Sequence, residues 1–409
     1  MRYVIIGASA AGLAAAETLR QWDPRGSITL ISDEPHPPYS RPLLTYLLSG
    51  EVRLDKVWLR GPDYFESWGF EARLGERVVQ VAVPEHEVRL QSGQALPYDR
   101  LLIASGASPL LPGIPGEDLP GVFTLRTLAD WQRLDAGLPE RGQVAVVGAG
   151  PVGLKAAEAL AHRGCRVTLV EMESQVLPRL VDGQAAGLLQ GALKEWGIEV
   201  CCQAAPLGVV GSMGRVRALA LADGRELPFQ AVLFAIGVAP NTEFLGDNGL
   251  AAPGGIKVNA RMQTAAPDIY AAGDCVQAVH LLTGKPAYVP IWPAAVEQGK
   301  IAGANMAGAD RRYPGALPQN SISLRNFKII TGGLIQPEGE DTEIVKEFDR
   351  HRGQYRRLVY QKGRLVGLTL VGKVEDAGIY FQIMGQQLPV KDLAADLQGP
   401  DFHPGRLWG

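Results

Sequence analysis

Cysteine is scarce in this chain of 409 residues. Only Cys165, Cys201, Cys202 and Cys275 occur, with no C-x-x-C pair and no zinc-ligand spacing. A disulfide-stapled secreted scaffold is thereby excluded, and the thiol usage fits a reducing cytoplasm. Histidine is equally thin: six residues, at 36, 86, 162, 280, 351 and 403, without ligand spacing. No metal site is expected. No apolar run is long enough to span a bilayer, so no membrane partner is expected. The net charge of −3 supplies no global field to recruit nucleic acid or membrane. Arg2 and the apolar, small residues after it mimic a signal peptide. The glycine spacing there explains them better as the first strand and helix of a fold. Hydrophobic content of 46% and charge content of 20% are those of an ordinary globular protein, and the length suits two or three domains.

What is present in quantity is glycine, and it is patterned. Residues 144–171 read VAVVGAGPVGLKAAEALAHRGCRVTLVE. The apolar run Val144–Val147 predicts a buried strand, and Gly148, Gly150 and Gly153 then give G-x-G-x-x-G. An alanine-rich helix follows, then a strand over Arg166–Val170 that ends at Glu171. The first glycine makes the tight turn, the second lets backbone approach a pyrophosphate, and the third lets helix and strand pack closely. The helix N-terminus offers free N–H groups to phosphates. Glu171 is placed to accept hydrogen bonds from both ribose hydroxyls.

The pattern occurs twice. Residues 2–32 read RYVIIGASAAGLAAAETLRQWDPRGSITLIS, followed by Asp33. Gly7 and Gly12 hold the outer positions, and Ser9 replaces the middle glycine. Two such units imply two dinucleotides, with the arrangement suggesting FAD first and a nicotinamide nucleotide second.

Between them, Pro42 suits a first helical position, so Leu43–Leu48 reads as a short helix closed by Gly50. Phe70–Leu96 alternates as a small antiparallel meander would. Asp99–Gly106 reads as a strand running into a small-residue turn, and Leu125–Leu138 as a helix. Beyond Glu171, Asp182–Trp196 has helical periodicity, and Ala231–Gly237 reads as a strand. Thr264–Asp274 predicts a strand presenting Gly273 and Asp274 at its end. Pro293–Ala307 is a small-residue helix. From about Tyr313 the tail reads as a separate α+β domain, with paired strands around Lys362–Gly363.

The segments GASAAG with Asp33, LLIASGASP, GAGPVG with Glu171, LFAIGVAPNTE and IYAAGDC together resemble the pyridine-nucleotide-disulfide oxidoreductase family of flavoproteins. PYSRPLL, WPAAVEQG and YRRLVYQKGRLVGLTLVG look like the branch holding NADH:rubredoxin reductases and the flavin module of NADH-dependent nitrite reductases. The resemblance covers nearly the whole chain. It implies an α/β fold with two Rossmann-like dinucleotide-binding domains, one inserted in the other, plus a C-terminal α+β domain. The expected boundaries are 1–111 and 238–312 for the split FAD-binding domain, 112–237 for the NAD-binding domain and 313–409 for the C-terminal interface domain. The implied FAD contacts are Gly7, Ser9, Ala11, Gly12, Asp33, Arg41, Val79, Ala104, Ser105, Gly106, Arg126, Gly273, Asp274 and Trp292. The implied NAD contacts are Gly148, Gly150, Pro151, Val152, Gly153, Glu171 and Gly237.

The resemblance implies hydride transfer from NADH to FAD, then single electrons to an iron–sulfur carrier of the rubredoxin or ferredoxin type. An NADH oxidase and the FAD/NAD subunit of a larger iron–sulfur complex are the alternatives. Oligomerisation stays open. Disulfide reductases carry a redox cysteine where this chain has Pro42–Gly50, which has none. Cys275 reads either as a thiol near FAD or as a small buried residue. Trp292 either stacks near the flavin or packs a domain junction, and the helix near Pro293 can aim its N-terminus at the flavin. Where many relatives carry Glu, this chain has Lys155. The catalytic expectation is a cation at the flavin–nicotinamide junction that stabilises anionic reduced flavin; the bland one is a stem reaching solvent. In the tail, the acids Glu338, Glu340, Asp341, Glu343, Glu347 and Asp349 precede Arg350, Arg352, Arg356, Arg357, Lys362 and Arg364. That basic run either docks an acidic carrier or is a solvated strand face.

Overall fold

The computed structural model describes residues 1–337 and 341–389, and these group into two compact units. Glu338, Glu340 and His403 lie outside the described residues. The first unit comprises Met1–Leu111, Thr124–Gly137 and Gly237–Ala316; the second comprises Pro112–Phe123, Leu138–Ile236 and the chain from Leu317 onward. Thr124–Gly137 therefore joins the first unit, although the sequence reading assigned it to the nucleotide segment after residue 111. Its helix, Leu128–Gly137, is opened by a reciprocal cap: the Asp130 N–H donates to Thr127 Oγ1, and the Thr127 N–H donates to Asp130 Oδ2.

Each unit is built on a five-stranded sheet, parallel throughout. In the first the order is Ile269–Ala271, Arg100–Ile103, Arg2–Ile6, Ser27–Ser32, Glu71–Leu74. In the second it is Glu199–Cys201, Arg166–Val170, Gln143–Val147, Ala231–Phe234, Val122–Phe123. Both sheets reverse direction of winding beside the strand that leads into a glycine turn, and ligands of such sheets bind outside the strand ends at that reversal. The strands Arg2–Ile6, Arg100–Ile103, Gln143–Val147 and Ala231–Phe234 are short, mainly apolar runs buried on both faces, whereas Glu71–Leu74, Glu199–Cys201 and Val122–Phe123 at the sheet edges are only partly covered.

Phe70–Leu96 divides where the sequence reading had one meander. Glu71–Leu74 joins the parallel sheet, and only Val78–Ala82, Glu87–Leu90 and Ala95–Pro97 form an antiparallel sheet. Gly75, at φ 77°, turns the chain between them. Alternation has the same period in either role, so pattern alone does not separate them.

Small residues set the helix packing of the first unit. A Cβ on Gly299 would lie 2.2 Å from the Ala11 carbonyl oxygen, and one on Gly303 2.5 Å from that of Ala15. Helix Trp292–Met306 therefore crosses helix Ala10–Trp22 in near backbone contact.

The second unit ends in an antiparallel sheet ordered Gln319–Leu324, Phe327–Gly333, Arg364–Val371, Gln354–Gln361, Thr342–Asp349, with helix Ala377–Gln386 against one face. The basic run does not form one patch. Arg356 and Arg357 are neighbours on a strand and point to opposite faces. Arg356 makes two 2.6 Å bonds to Glu347, and Arg357 is buried at 3.6 Å from Asp182.

Asp182 is the seam of this unit. It caps helix Gly183–Glu195 by accepting from the Ala185 N–H, and it takes the Tyr355 hydroxyl at 2.6 Å and Lys346 Nζ at 3.0 Å. Burial opposes its ionisation, yet Tyr355, Lys346 and the Ala185 N–H outweigh burial and hold its carboxyl below the usual range. A depressed carboxyl contributes stability that is present above its unfolded value of about 4 and lost as pH falls through the folded one. Asp182→Asn is expected to lower the melting midpoint by several degrees at pH 7. That deficit shrinks as pH falls below about 4, a trend thermal melts at stepped pH will read.

Candidate cofactor-binding sites

The two glycine turns share the same constraints. Gly7 and Gly148 adopt φ of 107° and 103°. A Cβ on Gly7 would sit 2.1 Å from the Ala104 carbonyl oxygen, and one on Gly148 2.5 Å from that of Ala235. On Gly12 and Gly153 it would sit 1.9 Å from the carbonyl oxygens of Gly7 and Gly148. These four positions are glycine because backbone meets backbone. Gly150 is different: a Cβ there meets nothing within 4 Å. No protein atom within 4 Å demands glycine at this helix N-cap, and the space outside it is open. That fits a pyrophosphate drawn onto the free N–H groups of helix Pro151–His162. Pro151 opens that helix, and Val152 beside it is half exposed. In the first unit Ser9 is the N-cap and makes no side-chain cap bond, so its hydroxyl is not committed to the helix.

The acids at the strand ends differ. Glu171 is buried, with Oε2 accepting the Ala149 N–H at 2.7 Å and Oε1 the Glu173 N–H at 3.0 Å. The glycine loop thus fixes its carboxylate, and the remaining lone pairs are left for ribose hydroxyls. Asp33 is exposed, while its neighbour Glu34 takes Arg41 at Oε1 (2.5 Å) and the Tyr39 hydroxyl at Oε2 (2.6 Å).

Several residues implied by the resemblance come together in the first unit. Arg41 donates to the Arg126 carbonyl at 2.9 Å, and Arg126 Nη2 donates to Asp274 Oδ2 at 2.6 Å. Gly273, at φ 87°, approaches Ala11, where an added Cβ would come within 3.0 Å of the Ala11 side chain. Ser105 Oγ donates to the Asn241 carbonyl at 2.7 Å, and the Asn241 side chain returns a bond to the Ser105 carbonyl at 3.0 Å. Nothing lies within 4 Å of where a Gly106 Cβ would be. Trp292 opens its helix and is partly buried against the core of this unit. Val79 stands apart, exposed on the small antiparallel sheet. Gly237 lies in the first unit, where its carbonyl accepts the Leu110 N–H, and not in the second unit with the other implied NAD residues.

Lys155 does not run out to solvent, and its charge is not unmatched. Its Nζ lies 2.5 Å from Glu158 Oε2 and donates to the Ser323 carbonyl at 3.0 Å. The bland expectation, a stem reaching solvent, is corrected accordingly. Cys275 is sealed, its Sγ donating to the carbonyls of Ile103 and Ala272 at 3.4 Å each, and burial pushes its thiol up to about 11. The sequence reading missed Gln298, which is buried and accepts the Gly273 N–H at 2.8 Å. Its available signal was an amide, one of two with Asn305, on the small-residue helix Trp292–Met306. It also missed Glu34 and Glu158.

Two glycine-loop cradles, each at the winding reversal of a parallel sheet, define a two-dinucleotide protein. The chain belongs to the pyridine nucleotide-disulphide oxidoreductase family, whose model matches residues 1–299. FAD and NADH are the cofactors of this family, and the cradles fit both. The chain is 33% identical over 387 residues to the NADH-dependent phenylglyoxylate dehydrogenase subunit epsilon of Aromatoleum evansii, covering 94% of this chain and 91% of that one. It is 32% identical over 394 residues to an NADH oxidase of Methanocaldococcus jannaschii, covering 94% and 88%. A ferredoxin reductase for the CYP199A2 system from Rhodopseudomonas palustris matches all of both chains with a TM-score of 0.92 at 27% identity. No helix among the described residues is long and apolar enough to cross a membrane.

Glu171 leaves a 2′-phosphate without a partner, and Met172–Gln175 contains no arginine to supply one. The kcat/KM for NADH is expected to exceed that for NADPH. Glu171→Ala should lose at least tenfold with NADH and gain nothing with NADPH, because the Ala149 tie goes with the carboxylate. A gain with NADPH in that variant would refute the assignment.

Proposed function

We propose that this chain is an FAD-dependent NADH reductase serving an external iron–sulfur carrier. Hydride enters FAD from NADH, and the electrons leave one at a time to the carrier. The observation that carries the acceptor assignment is the state of the thiols. Cys275 is the sole cysteine of the first unit, and it is buried, protonated at neutral pH and bonded to two carbonyls. A thiol relay from that unit, or a cysteine that handles peroxide there, has no residue to use. The residues of the chain bind and orient: Gly150 and the helix end behind it hold the nicotinamide dinucleotide. Asp274, steadied by Arg126, and Gly273, steadied by Gln298, hold the flavin dinucleotide. The helix that begins at Trp292 would offer its positive end to a bound flavin. Four unpaired thiols support a cytoplasmic setting.

Similarity to subunit epsilon of the phenylglyoxylate dehydrogenase, over 91% of that subunit, favours a second reading. The chain then works as the FAD/NAD subunit of a larger iron–sulfur complex. Anaerobic stopped-flow separates the outcomes. NADH-reduced protein should be reoxidised by a rubredoxin or ferredoxin at least ten times faster than by air-saturated buffer. Equal or faster oxidation by oxygen would make it an oxidase. Co-purification of a native iron–sulfur subunit, with poor turnover of the isolated chain, would establish the second reading. Cys275→Ala that loads FAD should keep its turnover within twofold.

A further inference from the structure

Helix Pro151–His162 is gripped from two sides within the second unit. Toward its sheet, Gly153 lies against Gly148 with no room for a methyl. Toward the C-terminal sheet it presents Lys155 and Glu158, nearly one turn apart, whose side chains are 17% and 8% exposed. Lys155 donates to the Ser323 carbonyl, and Glu158 Oε1 accepts the Arg325 N–H at 2.5 Å. Leu324 pairs with Phe327, so these two backbone groups sit at the mouth of a two-residue hairpin. Arg325 takes a left-handed φ of 46°, and its guanidinium lies 5.2 Å from the Trp196 ring centroid.

We propose that Lys155 and Glu158 are positioning residues that form a directional clamp between this hairpin and the helix whose N-terminus receives the nicotinamide dinucleotide. The direction follows from backbone polarity. A carbonyl at Ser323 requires a donor, and an N–H at Arg325 requires an acceptor. Cation at 155 and anion at 158 is the only order that satisfies both. This accounts for a lysine near a helix start, where the macrodipole disfavours a cation. Removing Lys155 leaves the buried Glu158 carboxylate without this cation and the Ser323 carbonyl without this donor, and removing Glu158 takes the acceptor from the Arg325 N–H. The clamp lies one turn from Gly150–Val152, so its loss frees the turn whose N–H groups face the pyrophosphate.

The inference rests on the nucleotide cradle alone. Its test reads binding, and therefore fails separately from the acceptor assignment. In the FAD-loaded full chain, Lys155→Met and Glu158→Gln should each weaken NAD⁺ binding threefold to tenfold in equilibrium titration. Competition by adenosine, which lacks the pyrophosphate, should stay unchanged, whereas general loosening of the unit would weaken both. Lys155→Arg, which keeps a donor and a charge, should stay within twofold of the parent and covers the case in which Lys155→Met fails to fold. The charge-reversed double variant, Lys155→Glu with Glu158→Lys, decides the matter. A simple ion pair would be restored by the reversal. The clamp predicts binding weaker than in either single variant, because both backbone partners then face the wrong group. Recovery in the double variant, parent affinity in the single variants, or equal loss for adenosine would each overturn the proposal.

Discussion

Backbone contact at the end of one strand in each sheet constrains most of what surrounds it. Gly7 against Ala104 and Gly148 against Ala235 leave no space for a side chain. Widening the gap would pull hydrogen-bonded strands away from each other, so the chain keeps glycine and takes the positive φ that glycine permits. The consequence propagates. The helix after each turn must start close to the strand, which makes Gly12 and Gly153 obligatory. In the first unit the same crowding continues outward, because Ala11 also meets Gly273 and Gly299. The middle position of the second turn, Gly150, is free of it, and Ser9 in the first makes no side-chain cap bond.

This constraint explains which regions of the molecule were legible in the sequence. Each turn, its two strands and the acid at the strand end fall within about thirty residues, and their spacing writes them into the sequence, although the backbone that crowds Gly7 and Gly148 comes from Ala104 and Ala235. What bridges distant segments was not legible. Arg41, Arg126 and Asp274 form one chain of bonds from three separate stretches. Only the resemblance named them together, and nothing in composition or period does. Glu71–Leu74 misled because a strand alternates in the same way whichever neighbour it pairs with. Thr124–Gly137 misled because a single boundary after residue 111 says nothing about which unit a later helix returns to. Lys155 could be flagged as unusual from its place in the helix. Its partners, Ser323 and Arg325, lie far along the chain, and no local signal points to them.

The tail shows the limit of reading charge as a run. Six cations in fifteen residues suggest a patch, but a strand sends successive side chains to opposite faces. Arg356 and Arg357 therefore meet different neighbours, one Glu347 and the other Asp182. Both are used inside the unit. A carrier that seeks complementary charge here finds only the remainder, of which Arg352 is itself paired with Asp349.

A turn between the strands Ile269–Ala271 and Val276–Val279 separates the surroundings of two neighbouring residues. Asp274 and Cys275 are adjacent, yet one joins Arg126 and the other is enclosed behind Ile103 and Ala272. A thiol acts as nucleophile or redox partner only as the exposed thiolate. Burial denies Cys275 both conditions, and two carbonyls accept the hydrogen it would have to lose. The carboxylate beside it is met by an arginine instead. One turn thus carries a carboxylate bonded to an arginine beside a thiol that is sealed off, while the stretch Pro42–Gly50, where disulfide reductases carry their redox cysteine, has none.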